Sequence, residues 1–144
     1  MEYYEGQDAS ITRHVTAEDV ELFAKVTGDS NPVHLDPAFA ATTRFKRRIA
    51  HGLLTASYVS AVLGTKLPGA GTIYLSQSIT FKAPVFVGDI VTARVVVLNY
   101  RPEKQILTLR TEVLNQDGLL VLEGQAVCLT SDVVDLAQPI EAAG

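Results

Sequence analysis

One stretch constrains this chain more than any other: the run 52–64, Gly-Leu-Leu-Thr-Ala-Ser-Tyr-Val-Ser-Ala-Val-Leu-Gly, carries no charged side chain. A helix that is apolar nearly all round is a buried helix. At ~1.5 Å per residue it spans ~20 Å, too short for a bilayer and about the width of a small sheet. Something in the same chain has to wrap it, and the sequence after Pro68-Gly69-Ala70-Gly71 changes to a strand pattern over 72–83, 90–100, 105–114 and 119–130. Leu107-Thr108-Leu109-Arg110-Thr111-Glu112-Val113 alternates apolar with polar, and Asp117-Gly118 is a strong hairpin signal. Gly88-Asp89 is read as turning the first two strands in a similar way. A buried helix followed by four long antiparallel strands predicts an α+β fold, an antiparallel sheet curled around a central helix.

Ahead of that helix, Thr16-Ala17-Glu18-Asp19 is a capping-box-like start, and Val20, Phe23, Ala24 and Thr27 share one face before Gly28 ends the helix. Asp36-Pro37 starts a short helix to about Thr43. At 144 residues, 47% apolar and 19% charged, with no repeat or linker, the chain is read as one domain over 1–144, its tail 131–144 peripheral.

The charge of −4 argues against a nucleic-acid binder, which needs a basic face, and points to small molecules as partners. Cys128 is alone, so no internal disulfide can form, which fits a reducing compartment. Met1-Glu2-Tyr3-Tyr4-Glu5 has neither a basic start nor an apolar core, and no apolar run is long enough to span a membrane. The expectation is a soluble, unexported, cytoplasmic protein.

Gly28-Asp29-Ser30-Asn31-Pro32-Val33-His34 puts a carboxylate and an imidazole five positions apart in a turn-rich segment. Fully extended, five residues would separate them by up to ~17 Å. Asp29 and His34 can share a site only if the chain folds back, and Ser30-Asn31-Pro32 supplies turn formers. Taken alone, an ordinary structural turn explains the segment at least as well. His51-Gly52 falls at the start of the buried helix, where unpaired N–H groups and the helix dipole favour developing negative charge. Gly52 permits close approach of a ligand, or merely fits a tight chain entry. Ser60 lies in line with Gly52 and Ala56, so that all three can face one pocket, or else bonds back to its own helix. Arg44-Phe45-Lys46-Arg47-Arg48 is either a solvated basic face or a holder of phosphates. His14, His34 and His51 are scattered in sequence, so no metal site is expected; no phosphate loop, dinucleotide fingerprint or nucleophile elbow is present.

Three segments together, Asp29-Ser30-Asn31-Pro32-Val33-His34, Ile49-Ala50-His51-Gly52-Leu53-Leu54 and Phe81-Lys82-Ala83-Pro84-Val85-Phe86-Val87-Gly88-Asp89, resemble the MaoC-like, R-specific enoyl-CoA hydratases of the hotdog fold. The likeness runs from about residue 11 to residue 130, and D-x-N-P-x-H is its most specific piece. It implies a homodimer with a substrate tunnel at the subunit interface. Asp29 and His34 then match the catalytic pair, Gly52 the backbone donor to the thioester oxygen, and Ser60 a polar residue near the site. Arg48 is a departure, standing where family members often have a smaller residue or proline.

The resemblance implies addition of water to a trans-2-enoyl-CoA, with Asp29 and His34 acting on one water from one face and Gly52 N–H stabilising the enolate-like oxygen. The product, an (R)-3-hydroxyacyl-CoA, is a polyhydroxyalkanoate precursor. No cofactor is expected beyond coenzyme A as part of the substrate. Ser60 and Leu63, one helical turn apart, are expected to close a short acyl pocket. The alternatives are a hotdog thioesterase and a non-catalytic acyl-CoA-binding module.

Overall fold

A computed structural model describes residues 2–130; the tail 131–144 lies outside the described residues. Five strands, β1 (Asp8–His14), β2 (Ile73–Phe81), β3 (Ile90–Arg101), β4 (Ile106–Leu114) and β5 (Leu120–Leu129), and four helices, α1 (Ala17–Thr27), α2 (Pro32–Leu35), α3 (Pro37–Thr42) and α4 (Gly52–Thr65), alternate as β1-α1-α2-α3-α4-β2-β3-β4-β5. The strands form one antiparallel sheet in the order β1-β3-β4-β5-β2, and α4 packs across it. This is the α+β arrangement expected, with one strand more.

The local rules hold where the side chains dictate them. Thr16 caps α1 by accepting from Asp19 N at 3.1 Å while Asp19 Oδ2 accepts from Thr16 N at 3.4 Å, and Gly28 ends the helix at φ 80, donating to Ala24 O at 2.8 Å. Asp36 caps α3 with Oδ1 accepting from Ala38 N and Phe39 N. Asp117-Gly118 turns β4 into β5, with Gly118 at φ 75 and Asn115 Oδ1 accepting from Asp117 N and Leu119 N.

Two expectations need correction. β1 pairs with β3 from Asp8↔Val96 to His14↔Ile90, a strand absent from the sequence reading. Its sequence is mostly polar and exposed, and its apolar alternation is limited to Ala9 and Ile11, which pack against the core. Gly88-Asp89 does not join a hairpin, because β2 pairs with β5 at the far edge and β3 with β1 and β4. The Asp89 carboxylate instead accepts from Phe86 N at 2.9 Å and Gln116 Nε2 at 3.1 Å, fixing the entry to β3.

The core is Leu54, Val59, Val62 and Leu63 of α4 against Val91, Ala93, Val95, Leu107, Leu109 and Val113 of the sheet. α4 is thus buried on one face only: Leu53 on the other is 62% exposed. One chain's sheet covers half of a helix that is apolar on both sides. Among the described residues no helix is long and apolar enough to cross a membrane.

Candidate active site

Asp29 follows directly on the αL end of α1, and its N–H donates to Thr27 Oγ1 at 3.1 Å. The segment read as a loop then closes into α2, a single turn. Asn31 caps it by accepting from Val33 N at 3.1 Å, and Pro32 sits in its first turn. This turn reverses the chain and brings His34 back towards Asp29. One donor atom from each of Asp29, His34 and His51 lies within 4.8 Å of the others. A water bonded to two groups at ~2.8 Å each spans ~4.6 Å between them, so a single water fits between carboxylate and imidazole.

His34 and His51 come together in space although they lie apart in sequence, while His14 ends β1 and is not part of the group. His34 and His51 stack with centroids 3.9 Å apart and planes at 29°. Their hydrogen bonds divide the work. His34 Nδ1 is 2.7 Å from Ile49 O, and a carbonyl only accepts, so Nδ1 carries the hydrogen and Nε2 the lone pair. His51 Nε2 likewise donates to Asp29 O at 2.9 Å, leaving its Nδ1 buried without a hydrogen-bond partner among the described residues.

Burial holds the His34 imidazole below its ordinary value; its bond to Ile49 O pulls upward, the neighbouring His51 pushes down, and Asp29 pulls up. The net direction is down, which keeps His34 neutral and Nε2 basic at neutral pH.

No side chain caps α4, whose first residue is Gly52. At this helix start Gly52 lines a cleft of about 340 Å³ together with Phe23, Asp29, His34, His51, Leu53 and Phe81. A Cβ on Gly52 would meet Phe81 Cε1 at 2.8 Å, so glycine is what lets the Phe81 ring sit against the helix start. Phe81 belongs to a quoted family segment but received no role from sequence reasoning; it also lines a second cleft of about 390 Å³ with Arg44, Lys82 and Gly52.

Gly52, Ala56 and Ser60 do not share one cleft: Gly52 lines the Asp29 cleft and Ser60 another. Ala56 and Ser60 line a third cleft of about 430 Å³, and Leu53 joins it to the catalytic one. Leu63 is placed differently, 1% exposed in the core while Ser60 is exposed, so the two do not share a wall. Of the basic run, Arg44 reaches the second cleft, Arg47 stacks on Phe86 at 3.9 Å, and Arg48 turns inward to donate from Nε to His34 O at 2.6 Å.

Known proteins resemble this chain over most of its length. The MaoC like domain matches residues 3–117. The chain is 53% identical over 122 residues to the (R)-specific enoyl-CoA hydratase of Aeromonas caviae, covering 85% of this chain and 91% of that one. It is 50% identical to the protein of the same name from Rhodospirillum rubrum over 87% of this chain and 86% of that one. Among solved structures, the A. caviae (R)-hydratase involved in PHA biosynthesis superposes with a TM-score of 0.86 over 88% of this chain and 96% of that chain, at 52% identity. The unliganded R-hydratase PhaJ1 from Pseudomonas aeruginosa gives 0.87 over 99% and 94%, at 44% identity. Shared sequence over most of the length, a shared hotdog fold and the Asp29, His34 and Gly52 cleft lead to one conclusion: the chain belongs to the MaoC-like family.

Proposed function

We infer that this chain is an R-specific enoyl-CoA hydratase, adding water reversibly to a trans-2-enoyl-CoA to give the (R)-3-hydroxyacyl-CoA. The observation that carries the reading is a carboxylate and a neutral, Nδ1-anchored imidazole brought within one water's span beside an uncapped helix start. The water sits between Asp29 and His34 Nε2. As its oxygen bonds to C3 and the C2=C3 double bond opens, one proton passes to the pair, and the pair returns a proton to C2 from the same side. The thioester oxygen carries the developing negative charge, and the N–H of Gly52 at the positive end of α4 meets it there. The reaction needs no cofactor beyond the coenzyme A that the substrate carries.

Arg44 and Lys82, across Phe81 from the catalytic cleft, supply the charge for the coenzyme A phosphates. The acyl chain runs along α4 past Leu53 and Ser60. A second copy of the chain completes the site. The open apolar face of α4, with Leu53 62% exposed, and the free edge of β2, with Phe81 52% exposed, support a homodimer. The whole chain acts as one cytoplasmic domain. The supply of hydroxyacyl units for polyhydroxyalkanoate is its role by analogy with the A. caviae relative.

The test is incubation with crotonyl-CoA, following loss of the enoyl absorbance, release of free thiol and product chirality. Conversion to the R-3-hydroxy product without thiol release is expected. Thiol release would indicate a thioesterase, binding without turnover an acyl-CoA-binding module, and an S product would contradict the assigned geometry.

A further inference from the structure

We propose that Arg48 is a positioning residue for catalysis, holding His34 in place through the His34 backbone carbonyl. The proposal rests on the hydratase reading and concerns the same site. α2 is one turn long and ends against Pro37, which has no N–H to give. The next two N–H groups, of Ala38 and Phe39, are taken by Asp36 Oδ1. The helical donors that would otherwise reach the His34 carbonyl are therefore missing or engaged, and Arg48 Nε fills the vacancy at 2.6 Å.

Arg48 belongs to a strap that grips His34 at both ends. Its side chain holds the main chain of His34, and the carbonyl of the next residue, Ile49, holds the imidazole through Nδ1 at 2.7 Å. Ile49 N also donates to Val33 O at 3.3 Å. The strap itself is fixed to the segment before β3, with Val87 N donating to Arg48 O at 3.2 Å and Ala50 N to Val85 O at 2.7 Å. Main-chain and ring orientation of His34 thus refer to one rigid support, which fixes where Nε2 points.

The guanidinium is not placed there for its own comfort. The Arg48 side chain is only 14% exposed, Nη2 is buried with no hydrogen-bond partner among the described residues, and Glu21 Oε1 stands off at 3.9 Å on a side chain that is 62% exposed. A buried, poorly paired charge is a weak source of stability. Position 48 is thereby coupled to the turn that carries His34.

The experiment compares Arg48→Met, Arg48→Lys and Glu21→Gln with the wild type on crotonyl-CoA, measuring kcat and KM separately alongside thermal melts. Arg48→Met is expected to lower kcat roughly tenfold, the scale of a small misplacement of a reacting group, with KM within about twofold and the melt little changed. Arg48→Lys, which keeps a donor, should recover part of the lost kcat, and Glu21→Gln should leave it unchanged. Unaltered kcat in Arg48→Met overturns the proposal. So does a rise in KM alone, which would make Arg48 a substrate contact, or a loss of kcat that only tracks a lowered melting temperature and that lysine does not relieve. An inactive wild type would instead remove the hydratase reading itself.

Discussion

The turn that carries His34 and the turn that carries His51 present the same side chain in a single stack 3.9 Å apart, yet the backbone claims opposite nitrogens. Ile49 O takes His34 Nδ1 and leaves Nε2 for the cleft, whereas Asp29 O takes His51 Nε2 and leaves a buried Nδ1 facing no partner among the described residues. His34 is equipped to move a proton. His51, 2% exposed between His34 and Phe23, is equipped to hold the Asp29 main chain against the start of α4. What a histidine does here is set by which nitrogen the surrounding carbonyls occupy, not by its nearness to the reaction.

The comparison is sharpened most by removing proton chemistry at the first turn. Asp29→Asn and His34→Asn keep size and some hydrogen bonding, and each is expected to lower kcat by ~10²-fold or more. Circular dichroism and melts should stay near wild type, because Asp29 is exposed and neither change empties the core. At the second turn the effect should be smaller. His51→Phe keeps the stacked ring while losing the donor to Asp29 O, so kcat should fall by about tenfold, the cost of loosening a positioned group. A loss as deep as that of His34→Asn would break the division of labour.

The smallest effect is on pH. Burial lowers the His34 value, so the folded protein binds this proton less readily than the unfolded chain, whose histidine titrates near ~6.5. The stability this group contributes is present above ~6.5 and lost as pH falls from there through the lowered folded value. Activity should follow the same group, with the acid limb of kcat/KM centred below ~6.5 and absent as a His34 titration in His34→Asn. A limb centred above that value would contradict a neutral, desolvated base.

Sequence reasoning reached the parts of this molecule that local chemistry writes down. The uncharged run became α4, Thr16 and Asp19 closed a capping box, and Asp117-Gly118 turned β4 into β5. It missed β1 because the alternation of this mostly exposed edge strand rests on Ala9 and Ile11 alone, and it misplaced β2 because a turn signal says where a chain bends, not which strand it will meet. At the site, Asp29, His34 and Gly52 were visible as a motif. The approach of His51 to Asp29, 22 positions apart, and the grip of Arg48 on His34, 14 apart, arise only from the way α2 and the strap fold against each other. Leu63 was read from helical spacing alone, which gives neighbours but not which of them the sheet covers.

The most direct test of the account is whether Asp29 and His34 act as one unit on one water. Hydration of crotonyl-CoA by Asp29→Asn, His34→Asn and the double variant, all shown to be folded, closes a double-mutant cycle. The account expects the double variant to be scarcely slower than the worse single variant, because losing either partner already leaves no activated water. Losses in kcat that multiply independently, or a folded single variant with near-native turnover, would contradict it and return the Asp29 to His34 segment to the status of a structural turn.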